Sequence, residues 1–373
     1  MSGDSQARVS VIIPARNEEA NIERAVRSVE SQTGVPLEVI VVDDQSDDRT
    51  GEILAGLKSE IPSLRVLRID SLPGGWLGKP FALACGAKTA SGAWLLFTDA
   101  DTEHQPGSLQ ELLARAENER VDLLSLSPGQ LTLTWWEKAV IPRVYVWLAK
   151  RFRFDAVNDP ASSAAAANGQ YILIKRDVYE KAGGHEAVRG ELLEDVALAK
   201  RVKSSGGRLL FLAGAPWVQT RMYRTFGEMW QGWTKNMYLL ADKKLTPLLA
   251  EVAAAWLLDL LPLAAVPVVA VAAATGGLRW PFAVGLILAC FVSAGWRAWR
   301  YVRALHELGF APGLIRYRIR GAALVSLLML DSARRHRRGR IEWKGRTYSV
   351  SPSAARGTPE EVPPTGVAKR ITS

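Results

Sequence analysis

Residues 95–103 read Leu-Leu-Phe-Thr-Asp-Ala-Asp-Thr-Glu (LLFTDADTE), an apolar run that ends in two carboxylates two positions apart, with a third close behind. Three consecutive large apolar side chains fit a short strand covered on both faces. Acid directly after such a strand sits at its carboxyl end, where open α/β sheets bind ligands. The strand period of two lets Asp99 and Asp101 face the same way. Two hard oxygen donors suit Mg2+ or Mn2+, which takes one or two carboxylates and completes its shell on substrate phosphates. A lone Asp-x-Asp is common in turns, so the signal rests on its position after a buried strand. Glu103 reads as loop solvation.

The same pattern recurs at residues 39–48, VIVVDDQSDD. Asp43 and Asp44 follow an apolar strand and are placed to accept hydrogen bonds from a nucleobase or ribose, whereas Asp47 and Asp48 read as caps of the next helix. Outward from these two points, strands and helices alternate over residues 8–243. VSVIIP (9–14), LEVIVVDD (37–44), LRVLRI (64–69) and AWLLFTD (93–99) read as strands. ARNEEANIERAVRSVESQ (15–32), SDDRTGEILAGLKSEIP (46–62) and PFALACGAKTA (80–90) read as helices. In the first of these, Ile22, Ala25, Val26 and Val29 recur at helical spacing, with Glu18 and Glu19 near the N-terminal dipole. The alternation implies the α/β class, with a largely parallel sheet covered by helices on both faces.

Beyond Lys244 the composition changes. Val252–Thr275 is apolar except for Asp259, Pro262 and Pro267, and Trp280–Trp296 is a second apolar stretch with a Trp at each end. A membrane-crossing helix needs about 20 apolar residues and often carries interfacial Trp. Residues 245–333 are therefore expected to form a membrane region with spans at about 252–275 and 280–296. Lys243 and Lys244 precede the first span, six arginines from Arg297 to Arg320 follow the second, and Arg279 alone lies between. That asymmetry places both ends of the hairpin, and the domain over 1–244, in the cytoplasm. A third apolar piece, Gly321–Leu330, is too short to cross and is expected to lie in the interface over about 313–331. A basic and then disordered tail is expected over 334–373.

Net charge is +9, yet thirteen Lys or Arg against three Asp or Glu fall between Arg297 and Arg346, so the rest of the chain is near neutral. A basic block beside apolar spans points to anionic membrane lipid as a partner and away from nucleic acid. The two cysteines, Cys85 and Cys290, exclude a disulfide framework and a Cys-based metal site, and fit a reducing compartment. The N-terminal MSGDSQARVS lacks the apolar core of a signal peptide.

Other segments combine chemistry with ambiguity. GWLGKPFALACGA is not a Walker loop, because three residues separate Gly74 from Gly78 and Pro80 replaces the Ser/Thr. Lys79 can still reach a diphosphate or a base carbonyl as a point charge. Glu194-Asp195 opens an amphipathic helix (Val196, Leu198, Ala199, Val202), where acids complement the dipole or provide a general base for an acceptor hydroxyl. RTFGEMWQGWTKNMY (224–238) concentrates Trp230, Trp233 and Lys235 as an interfacial belt or as a lid over phosphate and acceptor. LTWWEKAVIPRVYVWLAKRFRF (133–154) reads as interfacial or as buried against the core. PASSAAAAN (160–168) reads as a mobile loop.

Taken in order, VSVIIPARNEEANI, VIVVDDQSDDRT, GWLGKPFALACGA, LLFTDADTE, ANGQYILIKRDVYEKAGGH and LLEDVALAKRVKSSGGRLLF resemble the motifs of the family-2 glycosyltransferases, GT-A-fold enzymes that use nucleotide sugars. The resemblance covers about residues 8–240. GRIEWKGRTYSV is similar to the tails of membrane members, and VNDP (157–160) with Trp-Leu-Gly-Lys is most similar to the bacterial hopanoid-associated, carotenoid and ceramide-type enzymes. It implies a GT-A-like nucleotide-binding mixed sheet flanked by helices and followed by a transmembrane hairpin. It also places Pro14, Arg16 and Glu18 in the nucleotide pocket, Asp43 or Asp44 on the base, and Lys79 on the base or diphosphate. Asp99 would face the donor ribose or sugar and, with Asp101, a metal; Asp195, beside Glu194, would be the catalytic base.

Many processive and ceramide-type members carry Gln-x-x-Arg-Trp where this chain has Gln231-Gly232-Trp233-Thr234-Lys235-Asn236. That departure argues against a processive polysaccharide synthase, and Gln231, Trp233 and Lys235 remain donor-site candidates. The implied reaction is an inverting, metal-dependent transfer from a nucleotide-diphosphate sugar, a UDP-sugar being the expected donor. The acceptor would be a hydroxyl or carboxyl of a membrane-embedded lipid, at a multi-pass protein of the cell membrane. A sugar-phosphate nucleotidyltransferase and an inactive, membrane-anchored nucleotide-sugar-binding protein are the competing classes.

Overall fold

The computed structural model of the chain describes residues 8–343, 346–349 and 360–362. Its first half is organised by β1 (Val9–Ala15), β2 (Leu37–Asp44), β3 (Leu64–Ile69), β4 (Trp94–Phe97), β5 (Thr102–His104), β6 (Leu123–Ser127), β7 (Gly129–Gln130), β8 (Ile172–Lys175), β9 (Leu209–Ala213) and β10 (Val218–Thr220). Seven of these form one sheet in the order β3-β2-β1-β4-β8-β6-β9. The expected parallel pattern holds except at β8, which runs antiparallel to both β4 and β6. The chain between β6 and β8 leaves and re-enters at the same end of the sheet, so β8 must return in the opposite sense. A small second sheet, β5-β10-β7, lies beside the carboxyl end of β4.

Period-two alternation along β1 covers both faces. Val9, Val11 and Ile13 join Ile22, Val26 and Leu54 in one core, while Ile12 packs with Leu83, Phe97 and Ile172 in the other. The first helix is shorter than expected, Ile22–Glu30, so Glu18 and Glu19 are not in its first turn. The residues before it fold against the β2 end instead: Glu18 N donates to Thr50 Oγ1 at 2.8 Å, and Asn17 is left-handed at φ 52°. The second helix begins at Thr50, where Asp48 Oδ1 accepts from Thr50 N at 2.9 Å and Oδ2 from Glu19 N at 3.0 Å.

Packing corrects one further expectation and decides between two alternatives at another segment. Residues 160–168 are irregular, but Ala165, Ala166 and Ala167 are buried in the Phe97 core. Their small side chains serve close approach, not mobility. Segment 133–154 is mainly a helix, Trp135–Arg151, started by a Thr134–Glu137 capping box and buried along Val140, Val144 and Trp147. Of the two alternatives, burial against the core is the one found.

Leu245–Ala274 and Trp280–Glu307 are each long and apolar enough to cross a membrane, about 45 and 42 Å at 1.5 Å per residue, and their most apolar windows are almost wholly exposed. Each extends past its expected bound, the first starting at Leu245 and the second ending at Glu307. The short third piece is part of one helix, Arg318–Arg337, with Val325, Leu328 and Met329 buried against the Trp135–Arg151 and Phe226–Leu240 helices. Packing therefore does not break at residue 244, because helices from both sides share this core. After it come β11 (Arg340–Trp343), β12 (Arg346–Ser349) and β13 (Glu360–Val362), joined antiparallel. Strand β13 lies within the stretch expected to be disordered; residues 350–359 and 363–373 of that tail lie outside the described residues.

Close approach of two helices depends on Gly321. A Cβ there would lie 2.2 Å from the Ala139 carbonyl oxygen, whereas one at Gly295, on the exposed part of Trp280–Glu307, would meet nothing within 4 Å. Gly321→Ala is expected to destabilise the protein by about 1–3 kcal/mol, and Gly295→Ala to leave stability unchanged or slightly raised, read by thermal unfolding in detergent.

Candidate active site

The turn after β4 is held from three sides. Thr98 N continues the ladder to Ile12 O at 3.1 Å, and Thr98 Oγ1 donates to Gln170 O at 2.9 Å. Thr102 Oγ1 donates to Asp99 O at 2.6 Å, and Thr220 Oγ1 to Asp101 O at 3.1 Å. His104 Nε2 lies 3.0 Å from Thr98 Oγ1, and burial drives the His104 pKa down to about 4, so the ring stays neutral and keeps this contact. Strand β4 ends at Phe97, so a pinned turn, not strand periodicity, aims Asp99 and Asp101 at a common cavity of about 620 Å³. Glu103 lies on β5 and meets Arg24 at 3.4 Å on the surface.

Across this cavity Lys79 opens the Gly78–Thr89 helix, and Glu194 and Asp195 open the Glu194–Ser204 helix. Lys79 Nζ is 2.7 Å from Asp99 Oδ1 and 3.0 Å from Glu194 Oε1. Burial works against the Glu194 charge, but Lys79 and Lys235 outweigh it and hold its pKa below the usual carboxylate range. Burial raises the Asp99 pKa, with Lys79 offsetting part of the rise. Asp195 Oδ2 accepts from Gly169 N at 2.9 Å. Burial and the neighbouring Glu194 charge push the Asp195 carboxyl up to about 6, against the pull of Lys79 and that backbone N–H. Lys235 is drawn down to about 8 by burial, despite Glu194 and Asp195. Gly169 faces this cluster so closely that a Cβ would meet Lys79 Nζ at 2.9 Å.

The ends of β1 and β2 make a second wall. Arg16 Nη1 donates to Asp44 O at 2.8 Å and Gln45 O at 3.3 Å. Asp44 is buried and takes both guanidinium nitrogens of Arg346, on β12, at 2.6 and 3.0 Å. Asp43 accepts from Ser46 N at 3.0 Å in its own turn and does not line the cavity. Opposite lies an apolar wall of Tyr145, Leu148, Ala149, Phe152, Phe154, Leu240 and Leu308. The Phe226–Leu240 helix closes that side; Trp233 Nε1 and Asn236 Oδ1 are buried there and have no hydrogen-bond partner among the described residues. Trp230 turns away and donates to Asp331 Oδ2 at 2.9 Å.

One cavity thus gathers Pro14, Arg16, Glu18, Asp44, Lys79, Asp99, Asp101, Glu194, Asp195, Gln231, Trp233 and Lys235, while Asp43 and the lid candidate Trp230 stand apart. Sequence reading missed Arg346, Gly169 and Asn236. GRIEWKGRTYSV and ANGQYILIK had been singled out as motifs, but no local pattern shows which of their residues reaches the cavity.

Residues 10–183 match the family described as glycosyl transferase family 2, and the chain is a glycosyltransferase carrying that family's domain. Among particular relatives it is similar to 4,4'-diaponeurosporenoate glycosyltransferase of Staphylococcus aureus (strain MRSA252), 25% identical over 350 residues covering 92% of this chain and 88% of that protein. The protein of the same name from Staphylococcus haemolyticus (strain JCSC1435) is 27% identical over 238 residues, 63% of this chain and 62% of that one. Among solved structures it is similar to the mannosyltransferase PcManGT from Pyrobaculum calidifontis, in complex with GDP-Man and Mn2+, at a TM-score of 0.48 and 21% identity over 87% of this chain and 88% of that chain. The family match ends before Glu194, Asp195 and the Phe226–Leu240 helix.

Breaking the Asp44–Arg346 pair from one side strands a buried charge. Arg346→Gln is expected to cost about 3–5 kcal/mol, and its combination with Asp44→Asn less than the sum of the two single changes. Thermal unfolding of the four proteins measures the coupling; additive effects would rule the contact out.

Proposed function

We propose that this protein moves a glycosyl group, with inversion, from a nucleotide-diphosphate sugar to a hydroxyl of an apolar, membrane-held acceptor, with a UDP-sugar as donor. The observation that carries this reading is Asp195: a half-buried carboxyl with its pKa pushed up to about 6, held by Gly169 N in the cavity that joins the acidic turn and the apolar wall. A general base works best with its pKa near the working pH. In the proposed step Asp195 takes the proton of the acceptor hydroxyl as its oxygen bonds to the anomeric carbon, and the bond from that carbon to the diphosphate oxygen breaks on the opposite face. The nucleoside diphosphate leaves with the electron pair, and Lys79, about a third exposed toward the cavity, is the fixed charge nearest the acidic turn to receive it. Arg16, Glu18 and Asp44 would hold the nucleoside, with Pro14 shaping that end.

A divalent metal fits the donor set. Among the described residues no group of three or more His, Cys, Asp or Glu could hold an ion by protein alone. Asp99 and Asp101 offer two hard carboxylates on one wall, which suits an ion that completes its shell on a diphosphate. Bound there, Mg2+ or Mn2+ would neutralise charge developing on the leaving group. The two exposed apolar helices support anchoring in the cell membrane as a hairpin, with the catalytic domain on the cytoplasmic side by the positive-inside rule.

A carboxylate acceptor is the second reading, favoured by Lys235 and by relatives whose name carries a carotenoid acid. A carboxylate needs no base, so the two readings differ in pH dependence. With a hydroxyl acceptor, kcat/KM should rise as pH passes about 6, where Asp195 loses its proton, and fall above about 8, where Lys235 loses its charge. With a carboxylate acceptor the limb at about 6 disappears. Asp195→Asn should abolish transfer to a hydroxyl, a loss of at least about 100-fold, while donor binding measured by calorimetry persists; full turnover would sink the assignment. Asp101→Ala should lose activity together with the rate response to added Mg2+ or Mn2+.

A further inference from the structure

The Leu245–Ala274 helix widens to π geometry over Trp256–Leu260, and there Asp259 is fully buried among arginines. Its carboxylate meets Arg297 Nε at 2.6 Å, Arg143 Nη1 at 3.3 Å, and Arg318. Arg143 also reaches Glu251 Oε1 at 3.1 Å, and Lys150 lies 3.7 Å from Glu251 Oε2. Four cations therefore share two carboxylates, and the centre keeps a positive excess. Burial and the neighbouring Arg143, Arg297 and Arg300 charges lower the Lys150 pKa even against Glu251.

This excess opens onto a cavity of about 690 Å³, lined by Arg143, Lys150, Arg297, Arg300 and Arg303 with Glu307 as its one acid. Arg303 reaches Glu307 only at 3.7 Å across an exposed face, and Arg300 makes no ion pair among the described residues. Trp296 and Trp299, stacked at 4.9 Å between centroids, form the adjoining wall, with the Arg303 guanidinium 5.1 Å from the Trp299 ring. Directly beyond them Val292 and Phe291 begin the exposed apolar face of the Trp280–Glu307 helix. Clustered cations in excess, Arg143 buried and the others at the cavity mouth, attract a counter-anion, guanidinium forks match phosphate oxygens, and paired Trp marks headgroup depth.

We propose that this cavity binds the phosphodiester headgroup of an anionic membrane lipid, whose acyl chains lie along the exposed face of the Trp280–Glu307 helix. The site is separate from the donor cavity, which it adjoins only at Ala149, and it does not depend on the proposed reaction.

The test uses the full chain in a mild, uncharged detergent. Thermal unfolding is followed while phosphatidylglycerol, phosphatidylcholine or inorganic phosphate is added, and lipid retained through purification is identified by native mass spectrometry. Phosphatidylglycerol should be retained and should raise the melting temperature by several degrees, with phosphatidylcholine and inorganic phosphate nearly without effect. Arg300→Gln with Arg303→Gln, both at the exposed mouth, should weaken the lipid response about tenfold or more while leaving the lipid-free melting temperature and glycosyl transfer in micelles unchanged. Arg300→Lys with Arg303→Lys should fall between the parent protein and the glutamine variant, since it keeps the charge but loses the guanidinium forks. Equal responses to the two lipids, or an undiminished response in the glutamine variant, would overturn the proposal. A full response to inorganic phosphate alone would assign the cavity to a free anion and overturn the lipid source.

Discussion

Lys79 holds one nitrogen between Asp99 and Glu194, and three distant parts of the chain meet through it. The Gly78–Thr89 helix brings the lysine, the turn after β4 brings Asp99, and the start of the Glu194–Ser204 helix brings Glu194. Without that cation buried Glu194 and half-buried Asp99, with Asp195 beside them, would repel one another in the pocket. The antiparallel return of β8 serves the same end, because the segment before it delivers Gly169 N to Asp195. Fold topology thus supplies Lys79 and Gly169 N, the groups that restrain the rise that burial and Glu194 impose on the Asp195 pKa.

The apolar helices are not an appendage on a linker. The Arg318–Arg337 helix packs on Trp135–Arg151 and Phe226–Leu240, so one side of the cavity and the root of the apolar helices share one core. Asp259 ties both apolar helices to Arg143 and Arg318 at that root. A rigid root fixes the height and tilt of the cavity relative to the exposed apolar surface, and the cavity's apolar wall lies on the side built by the same helices.

Much of this arrangement was legible in the residues. Contiguous apolar runs such as VIVV and WLLF leave little choice but a buried strand, and the acids after them had to lie at the carboxyl edge. Lys79, Glu194 and Asp195 were visible because each opens a helix after a turn. What stayed hidden depended on distant packing. Asp44 and Asp43 are indistinguishable in sequence; only the three-dimensional arrangement turns one into its own turn and the other toward Arg346. The alanine-rich 160–168 segment looks unconstrained because its constraint, the lack of room beside Phe97 and Ile172, belongs to its neighbours. Helix ends were misjudged where tertiary hydrogen bonds, as at Glu18 and Thr50, replaced local capping.

The wall at the ends of β1 and β2 is begun by Asp44 and finished by Arg346, 302 residues later in the chain. During synthesis the ribosome releases the whole apolar hairpin before it releases that arginine. That wall is therefore completed last, after both apolar helices have been made. A polypeptide cut short between the Glu194–Ser204 helix and its final strands keeps the acidic turn and the lysine, yet leaves Asp44 without its guanidinium.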